Sequence, residues 1–196
     1  MDKIEKNYKS ELSRRFLFER LPAPLTAASS HLQIFDNYIE NTRLRLRSVR
    51  SPETKEWTFV LQQIFPVGEH LSHRKIAEMY LNEAEHNAFE RFEGREIKKN
   101  ERVVTNEVRK NRYFYETDGG QIELDVHLGD LWGLNIARVV FENEDEMEKF
   151  AIPSFCVLEI TDNSFFLGAN LVGKTLDDVK QELGKMQTLP GNINDR

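Results

Sequence analysis

Apolar and polar side chains alternate at every second residue in segment after segment of this chain. A period of two is the mark of strands whose two faces meet different surroundings. Residues 11–18, 33–40, 42–50, 56–65, 75–81, 107–116, 121–128, 135–142 and 155–161 all read this way. Pro22 and Pro24 stop the first run and Pro66 the fourth, while Asp118-Gly119-Gly120 offers the positive φ that a tight hairpin demands. Helical signals are fewer. Asn82 to Phe92 closes at Gly94, a short acidic segment runs from Asn143 to Phe150 before Pro153, and a third helix covers 175–186. The last opens on Thr175-Leu176-Asp177-Asp178, capping-box spacing with Asp in place of Glu. The pattern predicts an α+β chain, mainly antiparallel β, folded as a barrel or sandwich with a few peripheral helices.

Several strands carry charge on one whole face. Arg43, Arg45 and Arg47 share one side of 42–50, with Leu44 and Leu46 on the other. In 121–128, Glu123, Asp125 and His127 alternate with Ile122, Leu124, Val126 and Leu128. A solvated outer face produces this pattern. So does a barrel with a charged interior, and alternation alone does not separate the two. Composition narrows the partners instead. With 27 Lys and Arg against 33 Asp and Glu, the net charge of −6 argues against a general nucleic-acid binder, whose footprint is basic. At 196 residues and 39% hydrophobic content one compact core is expected, as a single domain over 1–187 with a flexible tail at 188–196. Cys156 is the one cysteine and sits in the apolar run Phe155-Cys156-Val157-Leu158, so it reads as a small buried hydrophobe in a reducing compartment. There is no stretch long enough to span a bilayer and no apolar signal core in Met1–Ser10, so a cytoplasmic chain without membrane contact is expected.

The order of the motifs resembles the CYTH domain, the triphosphate tunnel metalloenzyme superfamily, over nearly the whole length. Glu11-Leu12-Ser13-Arg14-Arg15 sits where that family has an N-terminal Glu-x-Glu-x-Lys strand. Asp36-Asn37-Tyr38-Ile39 and Thr42-Arg43-Leu44-Arg45-Leu46-Arg47 resemble its next strand pair, and Val108-Arg109-Lys110-Asn111-Arg112-Tyr113 resembles Ile-x-Lys-x-Arg-Tyr. Ile122 to Gly129 with Leu131 and Leu134, Ala137 to Glu142, and Leu158 to Asp162 follow in the family's order. The resemblance implies an eight-stranded tunnel-like barrel in which Arg and Lys bind a triphosphate and Glu residues hold Mg²⁺ or Mn²⁺. Members hydrolyse inorganic or nucleoside triphosphates or cyclise ATP. The residue types suit that chemistry, since guanidinium forks clamp phosphate and hard divalent metals take carboxylate oxygen.

On this resemblance the phosphate-binding set is Arg15, Arg43, Arg45, Arg47, Lys110, Arg112 and Arg138, and the residual metal set is Glu11, Glu123, Asp125 and Glu159. The departures all run one way. Ser13 and Val140 replace carboxylates, Arg138 replaces a third, and Phe59, Gln62 and Gln63 stand near expected lysines. The tunnel gains positive charge, and Mg or Mn binding is expected to be weakened or absent, with no organic cofactor. Three placements stay open for Arg138. It takes over the metal's charge role, or it salt-bridges Glu11 or Glu159 so that the tunnel closes on itself, or it points outward through a bulge. The leading expectation is a sensor or regulatory pseudoenzyme that binds a nucleotide or inorganic polyphosphate. The alternatives are a divalent-metal-dependent triphosphatase or nucleotidyl cyclase, and a ligand-free protein-interaction scaffold, with a protein partner or homodimer left open.

One motif is a decoy. Gly168 to Thr175 matches G-x-x-x-x-G-K-T, but a phosphate-binding loop of that kind needs a parallel strand before it and further βα units after it, and only 21 residues follow Thr175. A turn followed by a helix cap is the expected structure there.

Overall fold

The computed structural model describes residues 8–99, 101–117 and 119–188. Its strands are β1 (Lys9–Phe18), β2 (Leu32–Tyr38), β3 (Leu44–Arg50), β4 (Trp57–Pro66), β5 (His73–Leu81), β6 (Glu96–Lys99), β7 (Arg102–Thr105), β8 (Glu107–Thr117), β9 (Gly120–His127), β10 (Asn135–Phe141) and β11 (Cys156–Glu159). The main sheet runs β10-β9-β8-β2-β3-β4-β5-β1, and β10 pairs back onto β1 over Leu12–Leu17. Eight antiparallel strands therefore close into a barrel. β1 is long enough to serve three partners: its first part pairs with β5, and beyond the end of β5 its other residues take β11. Closure leaves the barrel without an open edge, which an isolated sheet of this size would expose.

The alternation of each strand divides the molecule into two surfaces. On the outer one, Phe16, Phe18, Tyr113, Ile122, Leu124, Ala137, Val139 and Phe141 form an apolar cluster. It is covered by Met147 and Phe150, from the helix α2 (Glu144–Lys149) and the residue after it, and by Leu21 and Leu25 of the loop after β1. A second cluster gathers the inward residues Leu17, Val108 and Ile136 with Ile160, Phe166, Leu171, Val172 and Val179. These last come from the C-terminal segment, which holds α3 (Gly168–Leu171) and α4 (Leu176–Thr188) and plugs that end of the barrel.

The helix signals find their places. α1 (Glu83–Phe89) starts at a capping box between Asn82 and Glu85 and passes into one 3₁₀ turn over Glu90–Phe92 before Gly94. In the glycine-rich decoy, the short helix α3, not expected from the sequence, takes up Gly168–Leu171. Gly173 then takes φ +71° and Thr175 exchanges hydrogen bonds with Asp178 at 2.9 and 3.4 Å as a turn and a helix cap, and the strand before it, β11, is antiparallel to its partner. Two further features depart from the pattern. The hairpin of β6 and β7 was not foreseen, because its four-residue strands are too short and too charged to register an alternation. The runs 33–40 and 42–50 end and start at Tyr38 and Leu44, because Asn41 takes φ 59° and Thr42 Oγ1 donates to the Ile39 carbonyl at 2.8 Å, making a turn of the residues between. The expected tail lies outside the described residues from 189 onward, while Thr188 still belongs to α4. Among the described residues no helix is long and apolar enough to cross a membrane.

Candidate functional site

The second surface is the barrel interior, and it is built of ion pairs. Starting on β5, Arg74 binds Glu11 of β1. Glu11 accepts from Arg138 of β10 at 2.8 Å, and Arg138 also reaches Glu123 of β9 at 2.7 Å. Glu123 meets Arg112 of β8 at 2.7 Å, and Arg112 forks onto both oxygens of Asp125 at 2.7 and 2.8 Å. Asp125 accepts from Lys110 at 2.6 Å, and Lys110 approaches Asp36 of β2 at 3.8 Å. Asp36 in turn holds Arg47 of β3 through two bonds of 2.6 and 2.8 Å and lies 3.5 Å from Arg45. Arg45 donates to Gln62 of β4, and Gln62 donates to Glu78, back on β5. The network thus touches all eight strands of the barrel and returns to the strand where it began.

Several charges in this belt are tuned by their neighbours. Burial alone would raise the Glu11 carboxyl, but Arg138 and Arg74 outweigh it and bring it down to about 2. Asp36 and Asp125 are likewise held well below the ordinary carboxylate range, because the surrounding cations outweigh a burial that opposes them. Lys110 moves the other way. Burial, with Arg112 and Arg47 adding to it, brings it down to about 8 despite Asp125 and Asp36. His127 is pushed down to about 4 by burial and by Lys110, and its Nδ1 donates to the Leu134 carbonyl at 3.0 Å, so the ring is neutral at pH 7.

Arg15 stands apart. It is 5% exposed, and its guanidinium donates to the carbonyls of Thr161 at 2.6 Å and Phe166 at 3.4 Å, with no carboxylate in salt-bridge range among the described residues. Burial and the nearby Arg74 and Arg138 lower it to about 10. The Nε–H groups of Arg15 and Arg74 are both buried without an acceptor. Seven cationic side chains and four carboxylates line this interior space of about 130 Å³, and Glu123, paired with Arg112 and Arg138 in the same belt, is a fifth carboxylate. The cations enclosed there outnumber the carboxylates by two among the described residues.

The belt brings together Arg45, Arg47, Lys110, Arg112, Arg138, Glu11, Glu123 and Asp125, with Arg15 beside it. Two expected members are elsewhere. Arg43 falls in the turn before β3 and is exposed, its guanidinium 4.1 Å from the Phe65 ring. Glu159 faces the outer surface, where Arg14 forks onto it at 2.9 and 2.7 Å and Thr161 donates to it at 2.6 Å. Its strand pairs it with Phe16, and that parity is the outer one. Arg138 points inward and bridges Glu11 and Glu123, so the outward placement falls away, and its carboxylate partners are Glu11 and Glu123 rather than Glu159. Sequence reasoning missed Asp36, Arg74, Gln62 and Glu78 as belt members. Asp36 shares a period-two face with Ile34 and Tyr38, a carboxylate on an otherwise apolar face, and that was its available signal.

A wider chamber of about 570 Å³ adjoins the interior, sharing Tyr38, Arg45, Ile64, Arg74 and Gly168 with it. Gly168 is required where α3 crosses the barrel rim, because a Cβ there would run into the Tyr38 hydroxyl.

Two solved structures share this architecture. Both are crystal structures of NE1496, described once as a hypothetical protein and once as an inorganic triphosphatase. The first is 21% identical, covering 84% of this chain and 99% of that chain, with a TM-score of 0.52. The second is 21% identical, covering 85% and 94%, with a TM-score of 0.51. The likeness is one of fold, a closed eight-stranded antiparallel barrel. The eight-stranded closed barrel expected from the motifs is therefore present. No family model and no curated protein matches the sequence.

The acids of this barrel interior do not fit a divalent metal. Glu11, Glu123 and Asp125 each already touch two cationic side chains, and a metal among them would sit against the Arg138 and Arg112 guanidinia. Among the described residues no group of three or more His, Cys, Asp or Glu side chains converges as a metal site.

Proposed function

We propose that this chain binds the phosphate end of a polyphosphate-containing small molecule in its tunnel, without a metal and without hydrolysing it. The belt carries this reading. Where a metal-dependent centre needs free carboxylates, Arg138 lies between Glu11 and Glu123 and neutralises both. The cations left in excess favour an anionic ligand, and guanidinium groups already fixed by their partners lose little freedom on meeting phosphate oxygens. In this reading Arg15, Arg45 and Arg74, which line the interior, donate to the ligand, and the carboxylates hold the remaining cations in register. Such a chain acts as a sensor or regulatory pseudoenzyme. The likeness to NE1496, described as an inorganic triphosphatase, supports the ligand class.

Calorimetry with inorganic triphosphate and with ATP, each with and without Mn²⁺, beside a phosphate-release assay, tests this. Binding that does not depend on Mn²⁺, without phosphate release, is expected, and Arg15→Met and Arg45→Gln should each weaken it at least tenfold. Mn²⁺-dependent turnover that disappears in Glu11→Gln would overturn the proposal in favour of a metal-dependent triphosphatase. Absence of binding would leave an interaction scaffold.

A further inference from the structure

The interior space and the chamber beside it differ in size and chemistry, and that difference speaks to the rest of the ligand. The interior, at about 130 Å³, has room for a phosphate-sized group. The chamber, at about 570 Å³, lies in the range of small-molecule sites. Its wall is aliphatic, with Ile39, Leu44, Ile64, Leu71, Ile97 and Val172, and Tyr38 is the single aromatic ring among its lining residues. That ring already packs against Gly168. A nucleobase would find no second ring to stack on. Around this wall stand Arg43, Arg45, Arg74, Lys98 and Lys99 against one carboxylate, Glu40. Lys99 is engaged with the wall itself, donating to the carbonyls of Ala169 at 3.4 Å and Val172 at 3.0 Å. Arg45 and Arg74 belong to both spaces, so the cationic corner opens directly into the aliphatic chamber.

We propose that the chamber and the Arg15–Arg45–Arg74 corner form one bipartite site for a phosphate or diphosphate ester with an aliphatic body, the head group in the corner and the chain along the aliphatic wall. The inference rests on the anion-binding reading above and adds to it the class of the ligand's other half. Apolar surface removed from water supplies the preference for an ester over the bare anion, at ~0.8 kcal/mol for each buried methylene. The hairpin of β6 and β7 then has a task, because its Ile97 and Lys98 build the chamber's far side.

The test measures binding of geranyl diphosphate, adenosine diphosphate and inorganic diphosphate to the full chain by calorimetry. Geranyl diphosphate is expected to bind at least tenfold tighter than either of the others. Ala169→Phe, at an exposed position on the chamber wall, should cut that preference to threefold or less by filling the space. Arg15→Met should weaken all three probes together. Equal affinities for geranyl and inorganic diphosphate would overturn the bipartite site while leaving the anion site standing. Adenosine diphosphate binding as tightly as the geranyl ester would overturn the aliphatic assignment. A preference untouched by Ala169→Phe would place the chain elsewhere and sink the proposal, and failure of all three probes to bind would remove the underlying anion reading as well.

Discussion

The inner and outer surfaces of the barrel are written by the same strands and obey opposite rules. On β9, Ile122 and Leu124 point outward into an apolar cluster and are essentially inaccessible, while Glu123 and Asp125 point inward to arginines. Outside, stability follows from volume, since removing methylenes leaves a cavity. Inside, it follows from balance, since each charge is tolerable only beside its partners. A sheet covered by helices and loops on one side and enclosing charge on the other shows that apolar core and barrel interior need not coincide.

Acid should expose this contrast most strongly. His127, Glu11, Asp36 and Asp125 all hold protons less readily in the folded chain than in the unfolded one, so the unfolded chain takes up protons first as pH falls. Stability should start to decline between pH 6.5 and about 4 through His127, then drop steeply below 4.5 as the belt carboxylates are lost, with Glu11 protonated only near pH 2. Chemical denaturation followed from pH 7 to 3 checks this, and a flat profile below pH 5 would break the account of the interior. Next in size, Arg112→Met should cost about 3–5 kcal/mol by leaving Asp125 to Lys110 alone and Glu123 to Arg138 alone, whereas the double variant Arg112→Met with Asp125→Leu should recover part of that loss. Recovery in this cycle separates a rule of balance from a rule of contact. On the outer side Leu124→Ala should cost about 2–4 kcal/mol, with no partner substitution that restores it short of refilling the space. Smallest of all, Glu159→Gln, on the outer face, should change stability by about 1 kcal/mol or less and leave the proposed triphosphate binding unaltered. A loss of binding there would return Glu159 to the tunnel.

The strands were readable from the sequence because alternation is a local property, and the barrel because the motifs recur in a recognisable order. What the sequence withheld is parity. Glu159 and Glu123 are both carboxylates in strand-like runs, and only the pairing of Glu159 with Phe16 on β1 shows that it faces outward. Arg43 shares a period-two face with Arg45 and Arg47 on paper, yet the turn at Asn41 removes it from the strand. Arg74 was lost by one residue, because the apolar run was read from Lys75 while the strand begins at His73. The belt as a whole could not be foreseen from any one segment, since every link in it joins different strands.

β1 has a consequence for how the chain is made. Its ten residues precede the other described strands in the sequence, yet one flank waits for β10, more than a hundred residues later, and part of the other waits for β11. Until those arrive the nascent sheet carries unpaired backbone along β1, a surface open to association with other chains. With so many of its pairings distant in sequence, the barrel belongs to the slow-folding topologies. A chain that ended before Asn135 would hold an open sheet rather than a closed barrel, because β1 keeps one flank unpaired until β10 is present.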